Sequence, residues 1–274
     1  MGALLALASA LCYGLVDFAG GLLSRRVPHA AVTFLGRLGG LLLATAAALL
    51  LTADAVAVPD LLWGALSGVG SATAMRFLNR GLSHGAMSVV VPMSAVTGVA
   101  LSVLCGVLLL GDRPGTLAWT GIAVTVPALW WVSGGGTRLG RAATDGLLAS
   151  PGVAVQYVAL GQAGPDSGLW PVAAGRAAAV LVLLPGVVRR PRLVRLPARP
   201  AGQALLIGAG AALGLVLYLL AAQRQMLSVA VVLASLYPAL PVLLGLAVLH
   251  ERVSRRQAAG LPPAALATVF LTAG

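Results

Sequence analysis

Lysine is absent from this chain, and charged residues of any kind are scarce. Only 9% of the 274 residues are charged, whereas a soluble domain carries about 25%. Cysteine is limited to Cys12 and Cys105, each alone in an apolar run, which excludes a disulfide framework and a cysteine metal site. No basic segment precedes the first apolar run, so we interpret that run as a membrane span and not as a cleaved signal. These absences exclude a soluble globular domain, and neither a cofactor nor a metal is expected.

Apolar residues make up 59% of the chain and give it a mean hydropathy of +0.98. They fall in blocks of membrane length, since a helix needs about 20 apolar residues to cross the hydrocarbon core. All five Trp residues lie near the ends of these blocks, as in the aromatic belt of a membrane protein. We predict ten spans, near residues 2–23, 30–52, 61–82, 86–110, 116–134, 146–164, 168–188, 203–223, 226–249 and 257–274.

The net charge of +11 comes from 18 arginines against 7 acidic residues. A basic surplus can indicate nucleic acid, but these arginines lie mainly in short loops between apolar blocks, so no nucleic-acid partner is expected. Most of them lie in the odd-numbered loops, whereas the even-numbered loops carry only Arg113 and Arg224. The positive-inside rule then places the odd-numbered loops in the cytoplasm and both termini outside.

The two halves of the chain repeat each other at an offset of 139 residues. Charges are scarce, so the charged matches are the informative ones: Gly36-Arg37 falls on Gly175-Arg176, and Asp112-Arg113 falls on Glu251-Arg252. Five spans per half is an odd number, so the second half must enter the membrane upside down. Such inverted repeats recur in transporters, with the substrate site between the halves near the midplane. The predicted fold is therefore an all-α membrane protein of ten transmembrane helices in two inverted five-helix repeats, residues 1–136 and 145–274.

Two stretches carry a family resemblance, LLLGDRPGTLAWTGI and its echo SLYPALPVLLGLAVLHERVSRRQAAGL. Together with an Arg early in the second helix of each half and an acidic residue closing the fourth, they resemble the EamA family of the drug/metabolite transporter superfamily. One departure is Asp112, where that family more often has Glu, as at Glu251. The resemblance implies a transporter of small metabolites, amino acids, sugars or drug-like solutes. It also implies cytoplasmic termini, contrary to the distribution of arginines.

The expected function is alternating-access transport of a small metabolite or drug-like solute by a multi-pass protein of the bacterial cell membrane, and not catalysis. The expected partners are a small-molecule substrate, the lipid bilayer and, as an open alternative, a second copy of the chain. Two other functions stay open, an intramembrane serine hydrolase and a structural membrane protein without transport activity. The hydrolase rests on Gly81-Leu82-Ser83-His84-Gly85, which fits the G-x-S-x-G motif but joins two predicted membrane helices instead of a strand and a helix.

Five residues within the predicted spans are candidates for substrate binding: Arg37, Arg176, Asp17, Tyr13 and Tyr157. A charge in a membrane helix costs at least about 2.5–3.5 kcal/mol and is a functional hypothesis by default. Asp17 and Arg37 lie at matching depths on adjacent helices, so we predict an ion pair, which could be structural or could form one wall of the cavity. Arg176 lacks such a partner and would suit an anionic group, unless it extends to the nearer membrane surface. The two tyrosines are equally consistent with packing.

Further predictions concern the ends and crossings of helices. We expect a polar cavity lined by the first, second, sixth and seventh helices. Arg76, Asn79 and Arg80 are expected to face lipid headgroups, and Asp112 and Glu251 to hold the turn into the next helix. Two small-residue pairs predict close helix approach, and one capping box predicts the start of the last helix: Gly64 with Gly68, Gly210 with Gly214, and Ser254 with Gln257.

Overall fold

The computed structural model describes residues 2–111, 113, 115–133, 140–222 and 237–273. These residues form helices and connecting turns and contain no strand, so the all-α prediction is confirmed. The ten described α-helices are α1 Gly2–Ser24, α2 His29–Leu50, α3 Val58–His84, α4 Met87–Cys105, α5 Thr116–Val132, α6 Arg141–Gly161, α7 Trp170–Arg189, α8 Ala198–Ala222, α9 Ala239–Ala247 and α10 Arg255–Ala273. A π-helical turn, Gly106–Leu110, extends α4, and the 3-10 turns Pro165–Ser167 and Pro191–Leu193 lie before α7 and α8.

Five of the described helices, α1, α2, α4, α7 and α8, are long and apolar enough to cross a membrane. The ninth predicted span is described only from Tyr237 onward. The predictions for Asp112 and Arg224 lie outside the described residues.

Local sequence sets the start of several helices. Pro59 stands in the first turn of α3, where its fixed φ favours the helix and its missing N–H leaves no hydrogen bond unmade. The capping box before α10 is confirmed: the Ser254 N–H donates to Gln257 Oε1 (2.9 Å), and the Gln257 N–H donates to Ser254 Oγ (3.3 Å). Helix α6 begins at Arg141, five residues before the predicted span, so the buried Asp145 lies inside the helix and not in a loop.

The core of the bundle is built from contacts between the two halves. Helix α3 packs on α6 and α7, and α8 packs on α1 and α2. Counting five helices per half, these two sets of contacts join corresponding helices of the two halves. The pairs α2–α7 and α5–α10 complete the pattern, since each joins a helix to its own counterpart.

Glycine allows the central helices to touch backbone to backbone. A Cβ atom at Gly68 would overlap the Gly175 carbonyl of α7, and a Cβ at Gly208 would overlap the Gly36 carbonyl of α2. Gly36 and Gly175 are the matched residues of the internal repeat, so the two crossings are equivalent. Gly64 likewise abuts the main chain of α7 at Pro171, which confirms the close approach predicted there.

The second predicted glycine pair serves a different contact. Gly210 faces the Val16 side chain and Gly214 faces the ring of Tyr13. Here α8 accommodates side chains of α1, and not a second backbone.

Candidate functional site

A cavity that three charged side chains line, Asp17, Arg37 and Arg176, lies among the central helices, beside the glycine crossing of α2 and α8. It contains about 380 Å³ of space, including its mouth. Its lining residues come from α1, α2, α3, α7 and α8: Val16, Asp17, Gly20, Val32, Thr33, Gly36, Arg37, Met75, Asn79, Arg176, Ile207, Gly208 and Ala211. The prediction that α6 lines the cavity is therefore wrong. Helices α3 and α8 take that place, because their glycines bring them into the centre of the bundle.

Arg37 lies in the cavity wall and is 5% exposed. One terminal nitrogen donates to the backbone carbonyl of Ser71 on α3 (2.7 Å). The buried Nε has no hydrogen-bond partner among the described residues. A buried donor without a partner is costly, so Arg37 retains hydrogen-bonding capacity for a bound group.

Arg176 faces the same cavity from the other half of the chain and is 8% exposed. It makes no hydrogen bond or ion pair with the part of the chain that the structure describes. Its side chain lies along α2, where a Cβ at Gly40 would be in van der Waals contact with Cδ and Nε of Arg176 (3.5 Å). The guanidinium group therefore lies beside α2 but makes no hydrogen bond with the described residues.

The predicted ion pair between Asp17 and Arg37 is not formed. Within the described ranges, no nitrogen of Arg37 lies within 4.0 Å of the Asp17 carboxylate. The physical reason is that Arg37 extends toward α3, where it donates to the Ser71 carbonyl. Both side chains nevertheless line one cavity, and the half-buried Asp17 has no hydrogen bond to any described residue.

Tyr13 and Tyr157 do not line this cavity. Tyr13 packs on Tyr237 with ring centroids 5.9 Å apart, and Tyr157 and Tyr218 lie near this pair. The four tyrosines of the chain therefore meet in one cluster. Tyr13 lies one helical turn before Asp17 on α1, so this cluster adjoins the charged cavity.

Two cavity residues were missed from the sequence. Asn79 Nδ2 donates to Thr33 Oγ1 (2.9 Å), and Thr33 Oγ1 donates to the His29 carbonyl (2.9 Å). Asn79 was predicted to face headgroups, and this is wrong, because its side of α3 packs on α2. No local signal separates Asn79 from Arg80, which follows it and points outward.

Glu251 joins the two halves at one end of the bundle. Its carboxylate accepts hydrogen bonds from the Met87 N–H (2.8 Å), the Ser88 N–H (3.1 Å), Ser88 Oγ (3.0 Å) and a terminal nitrogen of Arg25 (3.0 Å). We call this group the basic-face latch. Glu251 was expected to hold the turn into the next helix. It instead caps the N-terminus of α4 in the other half, where a carboxylate is favourable.

Asp60 makes a second link between the halves, at the opposite end. Its carboxylate accepts from the Gly164 N–H (2.9 Å) and from Ser167 Oγ (2.6 Å). We call this group the opposite-face clasp. The start of α3 is thereby fixed to the turn between α6 and α7.

The G-x-S-x-G segment does not form a nucleophile and base. Ser83 Oγ donates to the Arg80 carbonyl (2.6 Å), while His84 Nε2 lies 3.1 Å from Asp145 Oδ2. The segment closes a helix, so the strand–turn–helix that this motif requires is missing here. Among the described residues, no three side chains of His, Cys, Asp or Glu form a group that could hold a metal ion.

Comparison with known proteins identifies the family. The model of the EamA-like transporter family matches residues 1–134 and again residues 147–273. The chain belongs to the EamA-like transporter family. It is therefore a multi-pass membrane protein of a family that transports small solutes.

Solved structures support the same fold. Thirteen chains match, among them a crystal structure with a TM-score of 0.58 and 19% identity, in which 98% of this chain and 95% of that chain are covered. A comparison with curated proteins gave no match.

Proposed function

We propose that this EamA-family chain moves a small metabolite or drug-like solute by alternating access, with the solute bound in the cavity between the halves. One observation carries the proposal. Arg37 and Arg176, one from each half, line the same cavity; the Arg37 Nε is a buried donor without a partner among the described residues, and Arg176 makes no hydrogen bond with them.

The proposed architecture is ten spans in two inverted repeats, residues 1–136 and 145–274, in the bacterial cell membrane. The equivalent contacts α3–α6 and α8–α1 support the repeats. Opposite orientation is supported by Arg80, near the end of α3, which pairs with Asp145, near the start of α6. The end of α1 lies at that same face, because Arg25 binds the carbonyl of Gly85 just after α3. Helix α6 therefore starts where its counterpart α1 ends.

The charges of the cavity favour a solute that carries a carboxylate or a phosphate. Two guanidinium groups face one carboxylate, and arginine binds such anions through paired hydrogen bonds. Asp17 lacks a partner among the described residues and can accept a hydrogen bond from the same solute. We assign Tyr13 and Tyr157, in the adjoining aromatic cluster, to contacts with the remainder of the solute.

Solute chemistry is testable by counterflow in proteoliposomes. Vesicles loaded with an organic or amino acid are expected to accumulate the labelled acid from outside, whereas the methyl ester of the same acid should not compete. The reason is that the ester removes the charge that Arg37 and Arg176 would bind. Equal competition by acid and ester would show that the arginines do not select the anion, and absence of counterflow across a broad panel of solutes would count against transport itself.

Alternating access requires the halves to separate at one face at a time. The basic-face latch and the opposite-face clasp are the two links that such a motion would break in turn. Each uses a carboxylate from one half and backbone and side-chain donors from the other, so each can reform without rearranging a helix.

Substitution of Glu251 tests the latch. The variant Glu251→Gln keeps the size of the side chain but loses its charge, and a hydrogen bond to a charged group contributes about 1.5–3 kcal/mol. We expect maleimide labelling of a cysteine at position 24, which is buried beside Arg25, to be faster by about ten-fold or more. The measurement uses Ser24→Cys with Cys12 and Cys105 replaced by Ala.

The matched control is Asp60→Asn, which weakens the opposite-face clasp by the same kind of change. It should leave labelling at position 24 unchanged or slower. Equal acceleration by both variants would indicate general loosening instead of opening at one face.

A further inference from the structure

One outward face of α3 changes from apolar to basic along the helix. Its exposed residues recur every three or four positions and therefore share one side. They are Leu62, Leu66, Val69, Thr73, Arg76, Arg80 and His84. The first three are apolar, and the last three form what we call the basic stripe.

The depth of the basic stripe matches the headgroup layer. Asp60, in the opposite-face clasp, and Arg76 are separated by about 24 Å along α3 at about 1.5 Å per residue. The hydrocarbon core is about 30 Å thick, and a long Arg side chain reaches a few ångströms further toward the interface. Arg76 therefore reaches the far boundary of the hydrocarbon, and the turns from there to His84 lie level with lipid phosphates.

A buried carboxylate holds part of this stripe in place. Asp145 on α6, 6% exposed at its side chain, accepts from Arg80 Nε (2.9 Å) and from a terminal nitrogen of Arg80, and its other oxygen lies 3.1 Å from His84 Nε2. The Arg80 guanidinium also lies 4.7 Å from the ring centroid of Phe77. The side chain is thus fixed before any ligand arrives.

Arg76 lies one helical turn before Arg80. It is exposed and makes no hydrogen bond or ion pair with the described part of the chain. Residues four apart on a helix are neighbours, so Arg76 and the fixed Arg80 present adjacent guanidinium groups on the outer surface. Asp145 neutralises the charge of Arg80. The charge of Arg76 remains, and the single negative charge of a phosphodiester can balance it.

We propose that the basic stripe, Arg76, Arg80 and His84, binds the phosphate of an anionic phospholipid on the outer face of α3. This site is separate from the solute cavity, which α3 lines from its other side through Met75 and Asn79. A second copy of the chain fits this surface less well. A symmetric dimer brings the same patch of each copy together, and here like charges would oppose each other.

Native mass spectrometry of the purified full chain tests this proposal. The wild-type protein should retain phosphatidylglycerol in preference to phosphatidylcholine of the same acyl chains. The variant Arg76→Gln should bind about five-fold less phosphatidylglycerol, the effect typical of one Arg at an anionic membrane surface. The variant Arg76→Lys, which keeps the charge, should retain most of the binding.

The matched control is Arg190→Gln, which removes one exposed arginine elsewhere in the chain and should bind lipid as the wild type does. Equal losses in Arg76→Gln and Arg190→Gln would overturn the proposal, because general surface charge would explain both. Wild-type binding by Arg76→Gln would overturn it as well. So would a dimer that Arg76→Gln converts to monomer, since the stripe would then be a protein interface.

Discussion

The variant Arg176→Gln is expected to lower kcat/KM for solute uptake by roughly 30- to 1,000-fold, because removing one partner of a buried charged contact costs about 2–4 kcal/mol. The fold should survive, since Arg176 makes no hydrogen bond or ion pair with the described residues. The thermal unfolding midpoint is therefore expected to stay the same or to rise. Initial rates in proteoliposomes measure the first effect, and thermal unfolding in detergent measures the second.

Two further variants provide comparisons for this result: Arg37→Gln changes the other arginine of the cavity, and Arg190→Gln is the control. Arg37→Gln should lose transport to a similar degree, but it should also lose stability, because the buried Ser71 carbonyl loses its donor at a cost of about 1–3 kcal/mol. Arg190 is exposed, so Arg190→Gln should transport at the wild-type rate. If Arg176→Gln transported at the wild-type rate, the proposal that the second half of the chain contributes to the solute site would be wrong.

The variants Gly68→Ala and Gly208→Ala are each expected to lower the free energy of unfolding by about 3 kcal/mol or more, at the upper end of overpacking effects. In both, the new Cβ would overlap a backbone carbonyl of the crossing helix. A backbone segment in a helix cannot move aside as a flexible side chain can. The measurement is thermal unfolding in detergent, together with the fraction of monodisperse protein recovered.

Two other glycines provide matched controls in helices of the same bundle. A Cβ at Gly186 in α7 or at Gly202 in α8 would meet nothing within 4 Å. Gly186→Ala and Gly202→Ala should be neutral or stabilising, since Ala is favoured over Gly in a helix by about 1 kcal/mol. Similar losses at Gly68 and Gly208 would support the pseudo-two-fold axis. If Gly68→Ala were tolerated as well as Gly202→Ala, the backbone contact with α7 would be absent.

Much of the fold could be predicted because local and periodic patterns in the sequence determine it. Blocks of apolar residues predicted the helices, and the repeated Gly-Arg pairs predicted that Arg37 and Arg176 occupy equivalent helices. The capping box at Ser254 needed only four residues of sequence. Such signals are local, so one sequence suffices to detect them.

The remaining features depend on contacts between distant parts of the chain. Glu251 caps an α4 helix that begins more than 160 residues earlier, and no sequence spacing indicates that contact. The partner of Arg37 was mistaken for the same reason: a carboxylate on the adjacent helix seemed the natural partner, but a backbone carbonyl on α3 lay closer. Asp145 was placed outside its helix because Arg141 and Asp145 interrupt the apolar pattern, although the pair with Arg80 offsets the cost of burying the charge.

The most direct test of the proposed function is an electron cryo-microscopy map of the protein with the solute that counterflow identifies. We predict density for the anionic group of the solute between Arg37 and Arg176, within hydrogen-bonding distance of both guanidinium groups. Density for the solute elsewhere in the bundle, with this cavity empty, would contradict the account.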